Sequence, residues 1–152
     1  MAAKKEFKNQ FSWSFSRHSA FNACKRKYYY SYYGSWGGWN KDADDLSRKL
    51  YVLNKMTSLP MLAGSIVHDE VEKILKTLRY GRNADHEKSK ENVIKIFKQS
   101  WSQSKNKEWE DNPKWKTNLF EHYYDQKPSD QQLLDIRDLM INSIDAFFAS
   151  DS

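Results

Sequence analysis

Ser14–Trp39 reads SFSRHSAFNACKRKYYYSYYGSWGGW. A basic triplet, Lys25, Arg26 and Lys27, stands directly before Tyr28, Tyr29, Tyr30, Tyr32 and Tyr33. Gly34, Gly37 and Gly38 then break the run, with Trp36 and Trp39 among them. The spacing predicts a helix from Arg17 to about Tyr33. Phe21, Cys24, Tyr28 and Tyr32 recur at three and four residues and so share one face, with Arg17 at its edge. Lys27, Tyr29, Tyr30 and Tyr33 spread around the other sides, a pattern that suits burial between two layers. The glycines mark a turn that needs positive φ or close backbone approach. Trp36 and Trp39 are expected to fold back over the helix end. Two readings stand side by side: a core helix whose basic residues reach solvent on their aliphatic stems, or a phosphate-facing helix with rings free for stacking.

The chain has 152 residues, which allows one domain. Apolar residues make up 39%, charged residues 30% and aromatics 15%, so a core must draw on rings more than on aliphatics. No run approaches the ~20 apolar residues of a membrane span. The N-terminal MAAKKEFKNQ lacks the apolar stretch of a signal peptide. These features predict a cytoplasmic protein without a membrane partner. The single cysteine, Cys24, has no intrachain disulfide partner, which fits a reducing compartment; it is expected to be a small buried hydrophobe.

The net charge of +5 is unevenly spread. Residues 1–40 hold seven Lys/Arg and one acid, Glu6, for a net of +6, while the remainder holds eighteen Lys/Arg and nineteen acids. The basic character is therefore local to the aromatic segment. It fits a polyanionic partner there, and equally a solvated basic arm.

Outward from the segment, residues 1–12 read as a flexible arm that becomes ordered near Phe11 and Trp13. Asp42–Asp45 can open a second helix, with Leu46, Leu50, Leu53 and Met56 as its stripe. Ser58-Leu59-Pro60 reads as an interruption. A helix from Met61 to Tyr80 follows, with Val67, Val71, Ile74, Leu75 and Leu78 as its apolar stripe. Gly64 and His68 lie one turn apart at the margin of that stripe, where a glycine admits a neighbouring backbone. Gly81 can cap the helix end. Glu72, at i+4 from His68, reads as a solvated carboxylate or a lysine partner.

Asp85 can cap a helix from His86 to about Ser104, with Val93, Ile94, Phe97 and Trp101 on its apolar side. SKNKEWEDNPKWK reads as a polar linker, and Asn118–Tyr124 as one short helix. Ser129 with Gln132 forms a capping box for a last helix to about Phe148, whose apolar face is Leu133, Ile136, Met140, Ile144, Phe147 and Phe148. His18, His86 and His122 show no metal-ligand spacing. The fold class expected is all-α, with five to six helices packed around the aromatic one in a single helical region.

Ser-x-Ser-Arg at Ser14, Ser16 and Arg17, followed by Cys-x-Arg-x-Tyr-Tyr at Cys24, Arg26, Tyr28 and Tyr29, resembles the opening helix of RecB-like nucleases of the PD-(D/E)XK superfamily. Gly64 and His68 match the Gly-x-x-x-His that follows in that family. The chain departs at Lys25, where the family often has proline. The resemblance implies the N-terminal helical portion of a metal-dependent DNA nuclease. It implies His68 as a ligand of catalytic Mg or Mn, beside carboxylates that neutral imidazole accompanies well. It implies Arg17, Lys25, Arg26, Lys27, Tyr29 and Tyr30 as nucleic-acid contacts, and Ser14, Ser16, Cys24 and Gly64 as structural positions of the motif. Some RecB-like nucleases carry an iron–sulfur cluster on one early and three late cysteines. Cys24 alone cannot supply four thiolates, so no cluster is expected.

The superfamily's catalytic Asp and Asp/Glu-x-Lys sit on a small mixed sheet. Asp125-Gln126-Lys127 has the Asp-x-Lys letters, but Pro128 follows and no β run precedes it. The expectation is therefore a chain without the sheet core, inactive alone and prone to self-association through uncovered apolar faces. The alternatives are a non-catalytic helical module that binds nucleic acid, or one that binds a partner.

Overall fold

The computed structural model describes residues 9–150. Among them the chain is all-α, with seven α-helices, one π-helical segment and no strand. It divides into two compact units, one ending at Lys55 and one beginning at Met56. Of the arm expected over residues 1–12, residues 1–8 lie outside the described residues.

In the first unit, α1 (Phe15–Ala23) is capped by Ser14, whose side chain accepts the Arg17 N–H at 3.2 Å. The single helix expected over Arg17–Tyr33 is broken at Cys24, which is extended at φ −164°, ψ 109°. The Cys24 N–H donates to the Ala20 carbonyl at 3.0 Å and closes α1. Its sulfur accepts the Lys27 N–H at 3.4 Å and opens α2 (Lys25–Tyr29). A new helix start leaves unpaired N–H donors, and the short thiol reaches one of them. Cys24 is therefore an exposed capping residue and not a buried hydrophobe.

A π segment (Tyr30–Gly34) follows without a break. The Asn54 side-chain amide donates to the Tyr30 and Ser31 carbonyls at 3.4 and 3.2 Å. No residue of α1, α2 or the π segment is buried. The kink at Cys24 and the wide π turn bring the rings onto one another instead of under a second layer: Phe21 meets Tyr28 edge-on at 5.4 Å, and Tyr28 meets Tyr32 at 5.2 Å.

The glycine turn behaves as its composition implies. Gly37 has φ +80°, and Gly38 lies flat against α3 (Asp45–Lys55). Asp44 opens α3 by accepting the Ser47 N–H at 2.9 Å, and this bond holds its carboxyl below the usual range. Trp39 packs on Tyr51 at 5.5 Å and on Trp36 at 5.0 Å. The buried face of α3 is Tyr51 and Val52, while Leu46 is 62% exposed, so the expected leucine stripe is displaced. The close approach of Gly38 selects the Ser47–Tyr51 side of the helix.

In the second unit, α4 (Leu59–Arg79) begins earlier than expected. Ser58 caps it by accepting the Met61 N–H, and Pro60 stands in the first turn, where its missing N–H is no loss. Ser58-Leu59-Pro60 is thus a start and not an interruption. At the other end Gly81 has φ +68°; its N–H donates to the Leu78 carbonyl, and that of Arg82 to the Thr77 carbonyl, which closes a Schellman motif.

Asp85 caps α5 (His86–Lys105) by accepting the Lys88 N–H at 3.0 Å. The short α6 (Phe120–Tyr123) is less than the expected span because Asn118 and Leu119 are already engaged. Thr57 donates to the Asn118 carbonyl at 3.0 Å and accepts the Phe120 N–H at 2.9 Å, pairing Thr57 with Leu119. Ser129 and Gln132 form the reciprocal capping box of α7 (Asp130–Ala149).

α4, α5 and α7 pack against one another. Their core is Leu59, Leu62, Ala63 and Ile66 from α4, Val93 and Phe97 from α5, Met140 and Ile144 from α7, and Leu119. Burying Val93, Met140 and Ile144 completely stabilises the unit by about 1.5–3 kcal/mol for each side chain. The core lies among these helices and not around the aromatic segment. No described helix is long and apolar enough to cross a membrane.

Candidate nucleic-acid interface and the exposed Gly64–His68 face

The first unit presents the basic triplet openly. Lys25, Arg26 and Lys27 form the first turns of α2, and all three are exposed. Tyr29 and Tyr30 beside them are exposed too, with Tyr29 stacked parallel on Tyr33. The Arg17 guanidinium lies 4.6 Å over the Tyr32 ring and donates to the Ser12 carbonyl at 3.2 Å. Packing with the ring orients the cation while leaving it half-exposed. Ser16 meets Ser14 through their hydroxyls at 3.1 Å, so Ser14, Ser16 and Arg17 all serve the start of α1.

Electrostatics follow from these contacts. The Lys27 amide beside Cys24 holds its thiol below the usual range. Tyr28 and Tyr33 share a hydrogen bond through their hydroxyls at 3.4 Å, and that bond holds the Tyr28 phenol above its usual range. Sequence reasoning marks neither phenol as a contact.

In the second unit, α4 has two apolar stripes. The buried one is Leu62, Ile66 and Ile74, with Glu70 between them. The other is Met61, Gly64, His68, Leu75 and Leu78, spaced at three, four or seven residues, with Val71 at its edge packed against the core. On this second stripe Met61, Leu75 and Leu78 are exposed, as are Gly64 and His68. His68 therefore stands in the middle of an exposed face and not at the margin of the buried one. Gly64 has no atom within 4 Å of the position a Cβ would take, so the expected close neighbour is absent among the described residues. Leu75 and Leu78, expected in the buried stripe, belong to the exposed one.

Glu72 binds Lys76 at 2.7 Å, which holds its carboxyl below the usual range. The sequence reading misses Glu70, the buried carboxylate of α4. Glu70 accepts from Asn92 of α5 and from Lys73, 3.3 Å away. Its only signal in the sequence is the i+4 step from Ile66 to Glu70 to Ile74.

The other histidines are structural. His86 bonds Asp145 at 2.7 Å and stacks on Phe148. His122 bonds Ser104 at 2.9 Å. His18 bonds Asn22 at 2.9 Å.

Metal chemistry needs several donors converging on one point. Among the described residues no three His, Cys, Asp or Glu side chains come together as a metal-binding group. His68 is one exposed imidazole whose neighbour Glu72 is taken by a lysine.

A family model described as the PD-(D/E)XK nuclease superfamily matches residues 12–134, a span that takes in Ser14–Tyr29, Gly64 and His68. No curated protein and no solved structure matches the chain. The match covers most of the sequence, and the chain belongs to the PD-(D/E)XK nuclease superfamily.

Proposed function

We propose that the chain is the helical portion of a RecB-like, Mg- or Mn-dependent DNA nuclease of the cytoplasm. In this reading the carboxylates of the reaction come from a sheet outside the described residues. The observation that carries it is the second stripe of α4. Met61, Leu75 and Leu78 are apolar and exposed, at one helical period with Gly64 and His68. A packed partner on that face would use Gly64 for close approach and would meet the His68 imidazole. Arg17, Lys25, Arg26, Lys27, Tyr29 and Tyr30 would contact the DNA. Left uncovered, the same stripe favours self-association.

The reading frame after Ser152 and a cleavage assay test this. An Asp…Asp/Glu-x-Lys set downstream, with His68→Ala abolishing cleavage by the protein that contains it, is the expected result. The described residues alone should not cleave DNA with Mg or Mn, since one imidazole cannot replace a carboxylate set. Chelator-sensitive cleavage by the purified chain would overturn that. A stop codon after Ser152 favours a non-catalytic module that binds nucleic acid or a partner.

A further inference from the structure

We propose that the first unit carries a pocket for an unpaired nucleobase, formed by Trp13, Phe21, Tyr28 and Tyr33 beside Arg17. The inference rests on the reading of this segment as a nucleic-acid interface and names its substrate class, single-stranded nucleic acid.

These residues, with Phe11, line a cleft of about 240 Å³. Its walls are rings. Phe21 stands edge-on to Tyr28 at 5.4 Å, and Trp13 is tilted against His18 at 6.4 Å. Phe11 and Trp13 are exposed at 78% and 72%, so each offers a ring face that the protein leaves uncovered. Large apolar rings exposed around one cleft call for an occupant. Tyr28 and Tyr33 both line the cleft, and their hydroxyls meet at 3.4 Å. One hydrogen bond between them uses part of their capacity, and each hydroxyl can make more. Flat apolar walls with a polar edge suit a heteroaromatic ring carrying donors and acceptors.

Charge decides what the ring is attached to. From Asn9 to Lys41 the chain holds Arg17, Lys25, Arg26, Lys27 and Lys41 and no carboxylate. Arg17 lines the cleft, and the Lys25 ammonium lies 5.5 Å over the outer wall ring, Phe21. A base seated between the rings would have its flanking phosphates against these cations. A duplex cannot use the cleft, because its base faces are already stacked on one another; an unpaired base offers both faces to aromatic side chains.

The test is fluorescence anisotropy of the purified chain with three probes: a single-stranded oligothymidylate, a blunt duplex of equal length, and an abasic oligomer with the same phosphates. The single strand should bind at least about tenfold tighter than the other two, from stacking on the cleft rings. Trp13→Ala, at an exposed position that loses little packing, should erase that preference and keep the salt-dependent remainder. Phe21→Ala, checked by circular dichroism, should do the same. Equal binding of the three probes, or a preference that survives Trp13→Ala, overturns the pocket while leaving the phosphate contact standing. Binding of none of them overturns the nucleic-acid interface itself, and the pocket with it.

Discussion

The Ser104 hydroxyl lies 2.9 Å from Nδ1 of His122, and the same oxygen accepts the Leu119 N–H at 2.9 Å. The hydroxyl has one proton and two acceptor lone pairs, so it holds the Leu119 N–H and still serves the ring nitrogen in either histidine tautomer. Ser104 is fully buried, and the His122 ring meets Trp101 edge-on at 4.3 Å. The segment carrying Leu119 and His122 is thereby fastened to the end of α5. Ser104→Ala should destabilise the second unit by about 1–3 kcal/mol, since it strands a buried N–H. Urea unfolding of variant and wild type measures this; equal midpoints would remove the bond from the stability of the unit.

Burial holds His122 below the ordinary 6.5 for histidine. The unfolded chain takes up the proton near pH 6.5, and the folded chain only at lower pH. Between those values the unfolded state binds more protons, so stability from this group is full above pH 6.5 and falls as pH drops toward the folded value. The midpoint of urea unfolding should therefore be lower at pH 5.5 than at pH 7.5, with a smaller difference in His122→Gln. The same difference in both proteins would assign the pH dependence to other groups.

A Cβ on Gly38 would stand 2.3 Å from the Ser47 carbonyl oxygen and 2.5 Å from the Tyr51 Cβ. Backbone cannot yield as a flexible side chain can. Gly38→Ala should cost about 1–3 kcal/mol or more in the first unit by forcing the turn away from α3. Limited proteolysis should then cut faster near Trp36–Lys41. An unchanged cleavage rate would show that the turn relaxes freely.

Gly64 gives the opposite expectation. Nothing lies within 4 Å of its absent Cβ, and it stands inside a helix. Gly64→Ala should stabilise the isolated chain by about 0.5–1 kcal/mol through helix propensity, and His68→Ala should leave the melting temperature unchanged. In a protein containing the catalytic sheet, both should lower cleavage. A drop in melting temperature for either variant of the isolated chain would give this face a partner within the chain.

Replacing Lys25, Arg26 and Lys27 with Ala should weaken binding to single-stranded DNA and flatten its salt dependence. Each phosphate that is no longer neutralised reduces the slope of log K against log salt by about 0.7. The exposure of all three side chains predicts little change in fold. An unchanged slope would place the phosphate contacts elsewhere.

The sequence by itself determined what is local. The Ser129–Gln132 box, the Asp85 cap and the Gly81 C-terminal cap lie within a few residues of the backbone groups they satisfy, so their letters suffice. The stripe of α7 was equally legible, because Ile136, Met140 and Ile144 repeat at one period and no competing stripe outweighs them. The basic aromatic run could be recognised too, although not its shape. A thiol that caps a helix start gives no signal distinct from a buried one.

Only the tertiary structure decided the phase of α4. Its sequence supports two apolar stripes, and propensity cannot rank them. The covered one is the one that meets α5 and α7, where Asn92 and Lys73 satisfy Glu70 and so admit a carboxylate to a buried position. That choice turns Gly64 and His68 outward, since residues 64 and 68 lie across the helix from Ile66. α5 shows the same dependence: Ser89, Ser100 and Ser104 are buried beside Val93 and Phe97, and an apolar count passes over all three serines. Which face is covered depends on the neighbours that arrive, and those contacts are long-range in sequence. Caps are fixed by bonds a few residues long, whereas burial is fixed by whichever helix packs alongside.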